Sequence, residues 1–295
     1  LAIGFFRPHT PFVAPKKYFD FYNREKIEIP EIPNDYLTTI PEPAIKSIRS
    51  KNSQINLKKE QAQEIKEAYY ATISFIDAQV GRILDQLELS GLDKNTVVVF
   101  TSDHGYHMGE HGHWQKNTLF ENSTRVPLII SVPNFKNDGS TSNSPVELID
   151  VYPTLMDITN INTPEHVVGK SLLPLINNNN ASVRESALTR WRKGYSIKTK
   201  RYRLTKWGIN GELGYELYDH DHDKNELINL ADNQDYNDVL DSLKLVIEKR
   251  IIEASNKPKG LGRQFENARP MFKAKNITFG DMHDLNGEIT HLKNE

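Results

Sequence analysis

Two short polar clusters follow apolar runs in this chain, and both carry residues able to bind a cation or an oxyanion. Ser102-Asp103-His104-Gly105 closes the run TVVVFTS and continues as YHMGEHGHWQK to Lys116; Arg7-Pro8-His9 follows LAIGFF. Adjacent Asp103 and His104 offer one oxygen and one nitrogen to a single cation if the backbone turns sharply, which Gly105 permits. Two donors do not make a metal site, and the richest further donors are His107, Glu110, His111 and His113. Lys116 adds an ammonium, so that a cation, Lys116 and His9 together could neutralise an anionic ester and stabilise charge developing on oxygen. The same residues have plainer uses. An Asp after a strand caps the next helix, an imidazole donates to a backbone carbonyl, and the extra histidines with Glu110 can serve the backbone of their own loop. Trp114 either lines a substrate pocket or pins the loop. Arg125 reads as an ion-pair residue, and KTKRYR as the solvated face of a hairpin with anion contact as the alternative.

The elements that must position these residues are readable from periodicity. Leu1–Phe6 reads as a buried strand, and residues 23–56, with Pro30, Pro33, Pro41 and Pro43, as a long surface excursion. Ile65, Tyr69, Ile73, Ile76, Val80, Ile83, Leu84 and Leu87 fall at helical spacing between Asn56 as N-cap and Gly91 as the residue past the C-cap. TVVVFTS and Leu128–Val132 are unbroken apolar runs that suit central parallel strands covered on both faces. Residues 136–144 read as a turn, and DVYPTLMDIT as a helix starting at Asp150. This alternation predicts an α/β doubly wound sheet, at whose strand ends loop groups and helix N-termini converge on ligands. After the Asn run 177–180 the pattern changes to period two in GYSIKTKRYRLTKWG and YELYDHD, followed by the helix LDSLKLVIEKRII and forty weakly patterned residues. The expected division is 1–183 for the α/β part and 184–295 for a small α+β subdomain with antiparallel sheet, closing helix and tail.

Composition narrows the function. The chain has 295 residues, Lys+Arg 37 against Asp+Glu 39 and a net charge of -2, so no global positive field favours nucleic acid. No apolar stretch approaches the roughly 20 residues a membrane helix needs. With no cysteine, disulfides, thiolate metal sites and a cysteine nucleophile within the chain are excluded. The chain opens without Met or a secretory leader and reads as a piece of something longer. Three N-x-S/T sequons occur, at Asn122, Asn180 and Asn276.

The string SDHGYHMGEHGHWQKNTLFENSTRVPLII resembles the C-terminal signature of the formylglycine-dependent sulfatases, a branch of the alkaline-phosphatase-like superfamily. RPHTPFVAPKKYFDFY and YYATISFIDAQVGRILDQL are most similar to iduronate-2-sulfatases and their bacterial relatives. ELIDVYPTLMDI, GKSL and ELYDHDHDKNELINLA extend the resemblance to about residue 253. The resemblance implies a calcium ion ligated by Asp103 and His104, sulfate contacts from Lys116 and His9, and His9 as candidate acid for the leaving alcohol. Trp114 is carried as a candidate substrate contact. Calcium prefers oxygen ligands, which makes the imidazole of His104 atypical. The family nucleophile, formylglycine made from a C/S-x-P-S-R motif, has no counterpart in this chain, nor has the family's first pair of metal-binding aspartates. The expectation is therefore the C-terminal portion of an extracytoplasmic sulfatase, periplasmic, secreted or lysosomal, acting on a sulfated saccharide such as a 2-O-sulfated uronate. Its nucleophile would come from the N-terminal remainder of the same protein. The alternatives are a metal-dependent phosphodiesterase or phosphomutase of the same superfamily, which would bind zinc or manganese, and a non-catalytic carbohydrate-binding relative.

Overall fold

A computed structural model describes residues 1–135 and 139–255, together with two short strands beyond them. Leu1–Phe6, expected as a buried strand, is irregular and exposed throughout. A strand needs a neighbour to take its N–H and C=O groups, and among the described residues none pairs with this segment. The short helix α1 (Lys16–Phe19) follows, then α2 (Glu42–Ile48). The surface excursion expected over 23–56 is overturned: Tyr36, Ile40, Ala44 and Ile48 are buried against Leu119, Phe120, Trp207 and Tyr218. Their four-residue spacing puts apolar groups on one side, and the prolines do not oppose it, because Pro41 is the N-cap of α2 and Pro43 lies in its first turn.

Helix α3 (Lys59–Leu89) runs unbroken for 31 residues, as the spacing of its apolar positions predicts. Its N-cap is Lys58 rather than Asn56, which instead takes a left-handed φ of 57°. Gly91, at φ 71°, ends it in the expected way. Strand β1 (Val98–Thr101), helix α4 (Glu121–Thr124) and strand β2 (Leu128–Ser131) come next. The two strands pair with each other antiparallel, Val98 opposite Ser131 and Thr101 opposite Leu128, and not in the parallel order predicted. An unbroken apolar run says that a strand meets other apolar groups, but it does not encode direction. Nor are both faces covered here, since Phe100 is 37% and Ile129 60% exposed. Helices α5 (Val151–Ile158), which begins next to Asp150 where the sequence predicts a helix start, and α6 (Leu173–Asn177) complete this part. The turn expected at 136–144 falls partly on residues 136–138, outside the described residues.

Period-two alternation is borne out in the next sheet: β3 (Ala187–Trp191), β4 (Gly194–Lys198), β5 (Tyr202–Trp207) and β6 (Tyr215–Asp219) form an antiparallel meander in that order. Helix α7 (Asn237–Ser255) lays Leu240, Leu243 and Ile247 on Ile197, Leu204 and Leu217. Two buried ionic joints tie this sheet to the preceding part. In one, Glu147 accepts from Arg184 at 2.6 Å, Arg250 at 2.5 Å and Leu188 N–H at 2.7 Å, while Asp150 takes the other arm of Arg184. In the other, Arg203 lies between Glu121 and Glu226. Residues Leu1–Thr163 and Val168–Ser255 form one unit. In a second unit, Pro164–Val167 makes a turn closed by Val167 N–H to Pro164 O at 3.0 Å, and β7 (Met282–His283) pairs antiparallel with β8 (Ile289–Thr290). Asn276 and most of the final forty residues lie outside the described residues.

Breaking a buried ion pair from one side leaves an uncompensated charge. Glu147→Gln, which leaves Arg184 with Asp150 and Arg250 with Glu253 as their remaining carboxylates, should cost about 3 kcal/mol, read as a lower urea midpoint at pH 7 with unchanged slope.

Candidate functional site

Strand β1 ends at Thr101 and delivers Ser102–Gly105 to the surface. Ser102 Oγ donates to His104 O at 3.0 Å, and Asp103 Oδ1 accepts from His104 N–H at 3.1 Å, which folds the dipeptide tightly. Asp103 Oδ2 and His104 Nε2 then lie 3.6 Å apart. His104 Nδ1 is 2.8 Å from Gly105 O; a carbonyl only accepts, so Nδ1 carries a hydrogen and Nε2 is the ring nitrogen left near the carboxylate. A proton on Nε2 or a cation between the two atoms would satisfy that approach. Asp103 caps no helix, and its side chain is 85% exposed, open to a ligand.

Gly105 serves close approach and not the turn expected of it. Its N–H donates to Ser123 O at 2.8 Å, and a Cβ there would lie 2.0 Å from Asn122 O and 2.8 Å from Arg125 O. The carbonyls of α4 therefore sit directly on the backbone that follows His104.

The other loop donors are engaged with the loop itself. His107 bonds Thr118 Oγ1 at 2.8 Å and Glu110 O at 3.2 Å. His113 has a carbonyl beside each nitrogen, Ile48 O at 2.8 Å from Nδ1 and Lys116 O at 3.0 Å from Nε2, and a neutral ring donates to one of them at a time. His111 meets the Tyr36 hydroxyl at 2.5 Å and stacks on Phe120 at 3.9 Å, while Glu110 accepts Met108 N–H at 2.6 Å. Burial pushes all three imidazoles down, His111 to about 4, so they are neutral braces near pH 7. Trp114, 6% exposed, packs with Ala62 and Met108 and touches the backbone at Gly109, so its contacts are with the protein.

His9 is exposed, with Nδ1 2.7 Å from Thr10 O and its ring 5.0 Å from Phe6. Arg7 braces that turn, donating to Val13 O at 3.1 Å and His9 O at 3.3 Å. Three residues on, Phe12 meets Tyr69 and, at 6.0 Å, Tyr106, so the loop of His9 and the loop of His104 touch through these rings. Lys116 is held near the loop by its backbone: its carbonyl lies 3.0 Å from His113 Nε2, and the neighbouring Gln115 O accepts His107 N–H at 2.8 Å. The structure thus joins the segments that carry His9, Asp103, His104 and Lys116.

A buried ionic group lies behind this loop. Arg203 belongs to KTKRYR, expected as a solvated hairpin face with anion contact as the alternative, yet its side chain is 2% exposed, because β5 lies inside the sheet and is covered on both faces. Arg203 Nε donates to Glu226 Oε1 at 2.5 Å and a terminal nitrogen donates to Glu121, while His220 Nε2 donates to Glu226 at 2.7 Å. Period-two alternation with Thr205 and Trp207 was the available signal. Among the described residues, Glu121, His220 and Glu226 are the group whose ligand atoms lie within 4.8 Å of one another, but the guanidinium already supplies their cation. Burial pushes the Glu226 carboxyl up; Arg203, His220 and the Glu121 N–H more than offset it and hold it at about 2.

Comparison with known proteins bears on this geometry. Residues 1–161, more than half of the chain, match the family model described as sulfatase, and residues 109–253 match that of N-sulphoglucosamine sulphohydrolase, C-terminal. A sulfatase of Formosa agariphila is 35% identical over 255 residues, covering 84% of this chain and 49% of the relative. Human iduronate 2-sulfatase is 28% identical over 286 residues, covering 71% and 52%. The solved phosphonate monoester hydrolase of Silicibacter pomeroyi superposes with a TM-score of 0.75 at 23% identity, over 83% of this chain and 54% of that one, a likeness of fold. The chain spans about half the length of the curated relatives it matches.

Gly105→Ala should displace α4 from the loop, lowering thermal stability by several degrees and disordering His104 by NMR; a wild-type melt would contradict the close packing. For His111 the folded value of about 4 lies below the ordinary 6.5, so the unfolded chain binds the proton first and stability is lost as pH falls from 6.5 to 4. At about 1.4 kcal/mol per pH unit this group contributes about 3 kcal/mol to that loss. His111→Gln should flatten urea stability against pH across the same window by that amount.

Proposed function

Because the chain belongs to the sulfatase family, we propose that it forms part of an enzyme hydrolysing a sulfate ester on a sugar, with the 2-O-sulfated uronate of a polysaccharide or glycosaminoglycan as substrate. Similarity to iduronate 2-sulfatase supports the substrate class. The observation that carries the reading is the 3.6 Å approach of Asp103 Oδ2 and His104 Nε2, with Nδ1 tied to Gly105 so that Nε2 is the nitrogen left for a ligand. A carboxylate oxygen and an imidazole nitrogen so arranged fit one divalent cation; the oxygen suits calcium, and further oxygen ligands would complete its shell. When bound, that ion supplies positive charge beside the sulfate oxygens.

Lys116 adds an ammonium that neutralises sulfate charge, its backbone fixed by His113. His9, whose Nδ1 donates to Thr10 O, presents Nε2 as the atom that delivers a proton to the leaving alcohol oxygen. Trp114, buried behind the loop, supports Gly109 and with it the approach to Lys116. The chain contains neither cysteine nor a C/S-x-P-S-R motif, so the formylglycine nucleophile belongs to polypeptide outside it. We assign residues 1–183 to the catalytic α/β part and 184–295 to the following subdomain, in a protein that works outside the cytoplasm. No helix among the described residues is long and apolar enough to cross a membrane.

Expression of the complete gene that contains this chain, with calcium and 2-O-sulfated uronate oligosaccharides, tests the reading. Asp103→Ala and Lys116→Ala should each lower kcat/KM at least a hundredfold, about 3 kcal/mol of transition-state stabilisation. Full activity in either variant, or tightly held zinc in place of calcium, would sink the assignment.

A further inference from the structure

The buried carboxylate of Glu226 contacts neither Asp103 nor His104, yet the candidate cation pair is reached from it by hydrogen bonds joined through the backbone of α4 and Gly105. Glu226 is fully buried and sits at a left-handed φ of 55°, a conformation that costs a non-glycine residue free energy and persists only where the surroundings enforce it. Its Oε1 accepts from Arg203 Nε at 2.5 Å and His220 Nε2 at 2.7 Å; its Oε2 accepts the Glu121 N–H, the first of α4, at 2.8 Å. Arg203 reaches back to the Glu121 side chain, so both the backbone and the carboxylate at the start of α4 are fastened to the sheet. From α4, Ser123 O accepts Gly105 N–H at 2.8 Å, and Gly105 O accepts His104 Nδ1–H at 2.8 Å. A second brace runs beside it, from Ser123 Oγ through Thr118 Oγ1 at 3.0 Å to His107 at 2.8 Å.

We infer that Glu226 is a positioning residue for the Asp103–His104 pair, acting through α4 and Gly105 to hold His104 in the tautomer and pose that present Nε2 to a cation. Each link has one donor and one acceptor, and the gap between Asn122 O and Gly105 is too tight for a Cβ, so movement of α4 carries Gly105 O with it. Loss of the Glu226 charge leaves Arg203 to Glu121 alone and releases the α4 N-terminus. The glutamate and arginine of the other ionic joint, Glu147 and Arg184, make no such connection and provide the matching control. The inference rests on reading Asp103 and His104 as cation ligands, but its test does not require a bound ion.

The test uses the complete protein that contains this chain, labelled with 15N at histidine, at pH 8.5, with the His104 signals assigned by their loss in His104→Asn. The expected wild-type signature is the Nδ1–H tautomer. Glu226→Gln should convert it to a mixture of tautomers and weaken calcium binding, followed by calorimetry with calcium alone, at least tenfold. Glu147→Gln should change neither, although it also removes a buried carboxylate charge. Glu226→Asp, which keeps the charge for Arg203 but falls short of the Glu121 N–H, should move the signature in the same direction and stands in if the Gln variant fails to fold by circular dichroism. An unchanged His104 tautomer in the folded Glu226 variants, or an equal shift in Glu147→Gln, overturns the proposal. Absence of calcium binding in the wild type would count against the cation reading, and the tautomer would still decide the role of Glu226.

Discussion

A guanidinium cannot shed its charge, so an arginine buried as deeply as Arg203 obliges the fold to bring carboxylates to it. It finds one on α4 and one in the loop after β6, residues far apart in the chain. Satisfying one cation therefore docks the antiparallel sheet onto the segment that carries the site. Arg184 imposes the same requirement elsewhere, with Glu147 and Asp150 as its partners. These joints carry charge inside the protein, where an incomplete set of partners is costly, so they specify one docking geometry more sharply than apolar contacts alone would.

The loop from Asp103 to Lys116 obeys a second constraint. It is irregular yet largely buried, so its backbone groups must find partners without the help of a helix or sheet. Histidine suits that task, being a short rigid ring with two nitrogens that reach carbonyls and hydroxyls on either side. His107 and His113 do this, and burial keeps their rings neutral so that no charge is stranded with them. Donors that look like a metal cluster in the sequence are consumed as scaffolding. Asp103 and His104 keep exposed side-chain atoms, and His104 is linked through Gly105 and α4 to Glu226 in the loop after β6.

Much of this was legible from local pattern. Helices α3, α5 and α7, the four-stranded meander and the adjacency of Asp103 and His104 need only neighbours in sequence to express them, and the family motifs lie in the same segments. Two features were not legible, both for one reason: burial depends on what packs against a residue. The spacing of Tyr36, Ile40, Ala44 and Ile48 was visible, but proline content concealed its meaning until Trp207 and Tyr218 covered it. Arg203 looked like a solvated hairpin residue until β5 proved to be covered on both faces.

What this chain determined by itself is thus its periodicities, its turn and cap residues and the chemical types placed at the end of β1, because these follow from interactions within a few residues. Tertiary structure alone decided the antiparallel pairing of β1 with β2, the use of three histidines as braces, and the route from Glu226 to His104. Those outcomes depend on charges and hydrogen-bonding groups that meet only after distant segments have been brought out of water together, and no local spacing encodes that meeting.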